Sequence, residues 1–120
     1  MDLSISARTV NGVAPVCVVA LSGEVDIASS GALREAFYDL YQDGHRTVVL
    51  DLREVTFCDS TGLGAIATHA KLLLDHGGSL VLAAAQPSVA NIFQIAGLTK
   101  VLSVTSTVDE ALANGNHKAH

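Results

Sequence analysis

Apolar runs of strand length alternate with helix-period stripes along this chain, and that alternation leaves few architectures open. Val16 to Leu21 is a continuous apolar run. Leu33, Ala36, Phe37, Leu40 and Tyr41 follow it at the i, i+3, i+4, i+7, i+8 spacing of one buried helix face. Thr47 to Leu52 is the next apolar run, and Leu63, Ile66, Ala67, Ala70, Leu73 and Leu74 form the next stripe. Leu80 to Ala85 is followed by Val89, Ile92, Phe93 and Ala96. A short strand near Leu102 to Val104 precedes a last helix through Leu112. Strands that are apolar on both faces and alternate with helices are buried, parallel and joined by right-handed crossovers.

The punctuation agrees. Leu3, Ile5 and Ala7 alternate with polar residues as a half-buried edge strand, and Asn11-Gly12 turns it back antiparallel onto the second strand. Ser22-Gly23 ends that second strand, and Ser29 or Ser30 caps the first helix. Gly44 and Gly77-Gly78 stop the first two helices, Pro87 opens the third and Gly97 closes it, and Thr107 caps the fourth. The expected fold is α/β: a mainly parallel sheet with an N-terminal antiparallel strand, in the order β-β-α-β-α-β-α-β-α. Residues 114–120 are polar and are expected to form a frayed, disordered tail.

Composition narrows the function classes. The 120 residues suit one domain, and 49% are hydrophobic against 16% charged, which excludes a disordered chain. A net charge of −5 without a Lys/Arg cluster argues against nucleic acid and anionic membranes. Cys17 and Cys58 form no CxxC and the histidines form no HxxxH, so no metal site is expected. Free thiols, no signal-peptide pattern and no apolar run near the ~18 residues of a membrane helix predict a soluble cytoplasmic protein.

Chemistry concentrates in Asp59-Ser60-Thr61-Gly62-Leu63-Gly64, where a loop from Arg53 to Thr61 is expected to lead into a helix. Asp or Ser before a helix is an ordinary cap worth about 1 kcal/mol. Two glycines in a first helical turn cost about 1 kcal/mol each against Ala, a cost repaid if a strand, a partner or a phosphate approaches the backbone there. A phosphate on Ser60 would meet unpaired N–H groups and the positive end of the helix dipole. A hydrolase elbow needs GxSxG, and Cys58 stands in place of its first glycine. Gly62 to Ala67 matches GxGxx[GA] formally, but the expected loop separates it from its strand and Leu82-Ala83-Ala84-Ala85 ends without an acid. A receiver domain needs an acidic pair after its first strand and a phosphoacceptor Asp at a strand end. Asp51 lies inside its strand pattern. Gly23-Glu24-Val25-Asp26 is read as a loop on the same carboxyl edge as Ser60, a surface carrying Glu24, Asp26 and Asp59 and no Lys. Cys58 is read as a buried structural thiol.

The Gly23-Glu24-Val25-Asp26 segment, Asp51 through Gly64, and Ile95-Ala96-Gly97-Leu98 together resemble the STAS family, and within it the bacterial anti-sigma factor antagonists. The resemblance covers about Leu3 to Ala113, so residues 1–113 are read as one STAS domain. It implies helices stacked largely on one side of the sheet. It implies a partner that is both anti-sigma factor and serine kinase, using ATP and Mg²⁺ on its own subunit, and a phosphatase that resets the site. This chain would hold no cofactor and perform no catalysis. The implied phosphoacceptor is Ser60, with Thr61 as the lesser alternative. The implied partner-binding residues are Glu24, Val25, Asp26, Cys58, Asp59, Ser60, Thr61, Gly62, Leu63 and Gly64. An interaction module without phosphorylation, serving as scaffold or sensor part, is the competing expectation.

Overall fold

The computed structural model describes residues 3–117, with side chains through residue 113. Its elements are β1 (Ser4–Val10), β2 (Val16–Val25), α1 (Ser30–Gln42), β3 (Thr47–Cys58), α2 (Ser60–Asp75), β4 (Ser79–Ala83), α3 (Pro87–Ile95), a 3-10 turn (Leu98–Lys100), β5 (Ser103–Thr105) and α4 (Val108–His117). The strands form one sheet in the order β1-β2-β3-β4-β5. β1 runs antiparallel to β2, and β2, β3, β4 and β5 are mutually parallel. The expected order and sheet type hold, with the 3-10 turn as an addition. α4 continues past Leu112 to His117, over residues assigned from sequence to a tail. The remainder of that expected tail, 118–120, lies outside the described residues.

Strand alternation splits the core between two faces. Cys17, Val19 and Leu21 of β2 pack with Leu33 and Phe37 of α1, Ile66, Ala70 and Leu73 of α2, and Val89 and Phe93 of α3. Val16 and Val18 point the other way, with Val49 and Val81, to meet Val108 and Ala111 of α4. Three helices therefore cover one face and α4 covers the other, which is the largely one-sided stacking the resemblance implied.

Two strands are longer than their sequence reads. β2 continues through Ser22-Gly23 to Val25, and β3 runs 12 residues to Cys58 where a loop from Arg53 was expected. Ser22 pairs with Glu54, Gly23 with Val55, Glu24 with Phe57 and Val25 with Cys58, with register shifts between Ala20 and Ser22 and between Gly23 and Glu24. A bulge inserts a residue without a partner and breaks the period-2 pattern. The stretch Arg53 to Cys58 then reads as irregular although its backbone stays in the ladder. The extension carries Asp59 directly to the end of β2, where its N–H donates to the Val25 carbonyl at 3.0 Å.

Candidate functional site

α2 begins where β3 ends, with Asp59 as N-cap in extended conformation. Its Oδ1 accepts the backbone N–H groups of Thr61 and Gly62, each at 3.0 Å, and the Thr61 hydroxyl at 2.6 Å. Its Oδ2 accepts the Ile27 N–H at 3.1 Å, from the turn between β2 and α1. The Thr61 hydroxyl first, then the Gly62 N–H, hold the Asp59 carboxyl below its usual range. The helix start is thus already occupied by an anion. This corrects the expectation that a phosphate would find the N–H groups of this turn unpaired: those of Thr61 and Gly62 are taken by Asp59.

The neighbouring hydroxyls differ. Thr61 is half-buried and donates its proton to Asp59. Ser60 is exposed, and among the described residues no side-chain hydrogen bond engages its Oγ. The nearest histidine along α2, His69, is 4% exposed and stacked on Phe37 at 4.2 Å. Burial first, then the charge of Arg46, pushes its pKa down to about 4. It is a core residue of the α1–α2 contact, not a base for Ser60.

Gly62 answers its own question. A Cβ there would stand 2.6 Å from both the carbonyl oxygen and Cγ1 of Val25. The close approach that repays this glycine is a neighbouring strand. The sequence argument against a dinucleotide fingerprint rests partly on an expected loop between Gly62 and its strand. That premise fails, since only Asp59 lies between β3 and α2. The reading fails instead because the face of Gly62 is filled by Val25. Asp51 is buried mid-strand, with its carboxylate 3.0 Å from the Arg53 guanidinium, in place of the strand-end position a receiver acid would need.

The expected contact residues separate into two sets. Glu24, Asp26, Asp59, Thr61, Leu63 and Gly64 are partly accessible and Ser60 is exposed. Val25, at 0% exposure, and Cys58, at 2%, are core, and Gly62 is buried against Val25. Those three are corrected from contact residues to support, because the bulged strand ends turn them under the helix. Desolvation first, then the Asp59 charge, raises the Cys58 thiol to about 11, which keeps it protonated and unreactive. Ile27 at 77% exposure and Phe57 at 46% were missed. Phe57 sits opposite Glu24 and Ile27 is tied to Asp59, so both flank the carboxyl edge that bears Ser60. An apolar residue beside each motif was the available signal. Among the described residues no group of His, Cys, Asp and Glu could hold a metal ion, and no helix is long and apolar enough to cross a membrane.

A mainly parallel sheet backed on one face by three helices, with an exposed serine beside an aspartate cap at its carboxyl edge, defines a small α/β domain. A family model described as STAS domain matches residues 4–111, and the chain belongs to that family. It is 32% identical over 88 residues to the anti-sigma-B factor antagonist of Bacillus subtilis, across 73% of this chain and 80% of that protein. It is 32% identical over 98 residues to the anti-sigma F factor antagonist of Paenibacillus polymyxa, across 81% of this chain and 84% of that one. The crystal structure of an anti-sigma factor antagonist from Mycobacterium paratuberculosis superposes with a TM-score of 0.79 at 29% identity, covering 92% of this chain and 93% of that one.

Proposed function

We propose that this protein is a cytoplasmic anti-sigma factor antagonist switched by phosphorylation of Ser60. The unphosphorylated form binds an anti-sigma factor that is also a serine kinase, and so frees a sigma factor. The kinase, with its own ATP and Mg²⁺, phosphorylates Ser60 and the complex separates; a phosphatase restores the hydroxyl. The observation that carries the reading is the asymmetry at the start of α2. The Thr61 hydroxyl is spent on Asp59, whereas Ser60 is exposed and uncommitted. The relatives named as anti-sigma factor antagonists support the choice of partner.

The electrostatics give the switch its direction. A phosphate adds about −1.5 to −2 charges at neutral pH. It would arrive beside Asp59, whose carboxyl is held ionised, and near Glu24 and Asp26. In the free protein that charge faces water. In a complex it would be desolvated among acids, and a loss of about 1.4 kcal/mol already weakens binding tenfold.

The test is phosphosite mapping by mass spectrometry after incubation with the anti-sigma factor kinase and ATP. Phosphate on Ser60, absent in Ser60→Ala while that variant still binds, is the expected result. No phosphate on either Ser60 or Thr61, with the complex intact, would overturn the switch and leave a constitutive interaction module.

A further inference from the structure

Ser60 sits among carboxylates, yet one cation reaches this end of α2 from another element. Arg34 projects from α1 and lays its guanidinium across α2, with Nη2 3.4 Å from the place where a side chain of Gly64 would begin. Gly64 is four residues after Ser60 and lies on the same helix face, where i and i+4 positions are roughly 5–6 Å apart. A phosphoserine extends well beyond its own Cβ and arginine is long and flexible, so the remaining gap lies within side-chain reach.

The other arginines and lysines with recorded contacts are committed elsewhere. Arg53 pairs with Asp51 at 3.0 Å and Lys71 with Asp75 at 2.9 Å. Arg46 lies 3.7 Å over the Tyr41 ring and donates to the Tyr41 carbonyl at 2.8 Å. Arg34 is exposed and makes no ion pair among the described residues. Gly64 has no side chain to block its path, which gives the second glycine of the turn a use distinct from that of Gly62.

We infer that Arg34 is the intramolecular partner of a phosphate on Ser60, drawing it toward the α1–α2 face and away from Asp59. Guanidinium and phosphate match as a charged, two-pronged hydrogen-bonding pair. In the unmodified protein Arg34 is an idle surface cation; in the modified one it offsets part of the new charge and gives the phosphate a fixed orientation. The inference rests on Ser60 as phosphoacceptor.

Phosphoserine installed at position 60 during translation tests it without any kinase. The second ionisation of the phosphate is followed by ³¹P NMR in the parent, in Arg34→Gln and in Arg34→Lys, with Arg8→Gln on β1 as control. An opposite charge stabilises the dianion, so the parent phosphate is expected to titrate about half a unit or more below that of Arg34→Gln. Arg34→Lys should recover part of the difference, and salt of about 1 M should close most of it. Equal titration in the parent and Arg34→Gln, or an equal shift in Arg8→Gln, overturns the pairing. The two proposals fail separately. A shift here with no kinase-derived phosphate on Ser60 keeps the pair and sinks the switch. The reverse result keeps the switch and removes Arg34 from it.

Discussion

The starts of α1 and α2 are built from the same parts and end in different states. Each has an aspartate accepting backbone N–H groups just ahead of its helix. Asp26 Oδ1 takes those of Ala28 and Ser29, each at 3.0 Å. Asp59 Oδ1 takes those of Thr61 and Gly62. At α1 the adjacent hydroxyl is consumed: Ser29 is 7% exposed, donates to the Glu24 carbonyl at 2.7 Å and accepts the Asp26 N–H at 2.9 Å. At α2 it is Thr61 that is consumed, and Ser60 is left over. An extra hydroxyl beside a satisfied cap is free for other chemistry. The Ile27 N–H bond to Asp59 joins the two starts, so the chain leading into α1 braces the cap of α2.

The comparison breaks most severely at Gly62. Gly62→Ala forces a Cβ into the Val25 backbone and should cost about 3 kcal/mol in urea unfolding, through an overpacked contact that cannot relax cheaply. Gly31 in the first turn of α1 has nothing within 4 Å of such a Cβ, so Gly31→Ala should be neutral or stabilising.

Acid sharpens the contrast next, through the stack that joins the two helices. His69 has a folded pKa of about 4 against an ordinary 6.5, so the native state binds its proton less readily than the unfolded one. Stability from this group is intact above about pH 6.5 and falls as pH drops toward 4, by up to about 3 kcal/mol. His69→Phe should flatten that limb of a pH series of denaturation midpoints. An unchanged slope in the variant would refute the assignment.

Removing the caps comes third. Asp59→Ala should cost about 1–2 kcal/mol and also loosen the Ile27 amide, read by hydrogen exchange. Ser29→Ala, which removes the partner of the Asp26 N–H and the Glu24 carbonyl in a part-buried turn, should cost about 1 kcal/mol without altering exchange in α2. Equal loosening of Ile27 in both variants would dissolve the distinction between the two starts.

Ser60 itself should matter least to the fold. Ser60→Ala and Ser60→Asp are expected to melt within about 0.5 kcal/mol of the parent, since the hydroxyl is exposed. Ser60→Asp should nonetheless weaken binding to the anti-sigma factor at least about tenfold. Undiminished binding would defeat the charge argument.

Much of this was legible along the chain. Periodicity located α1, α2 and α3, and glycine, proline and threonine marked boundaries the structure keeps, including Pro87 at the start of α3, Thr107 at α4 and Gly97 at a left-handed backbone position. Ser60 was legible as a hydroxyl beside an acid at a helix start. The strand ends of β2 and β3 were not, because bulges erase the alternation from which a strand is read. Ser29 or Ser30 was expected to cap α1; Ser29 holds the N-cap position, and its side chain makes no capping bond there. Its hydroxyl is drawn to the Glu24 carbonyl and Asp26 takes the N–H groups.

By itself the sequence determined what depends on neighbours in the chain: element type, order, the α/β class and the choice of Asp59 and Ser60 as a pair worth attention. Those follow from side-chain period and capping chemistry, which act over a few residues. Tertiary structure decided that Gly62 serves Val25, that Val25 lies beneath the surface, and that Arg34 reaches α2. Each depends on contacts between residues far apart in the chain, and only the packed sheet and helices bring those residues together.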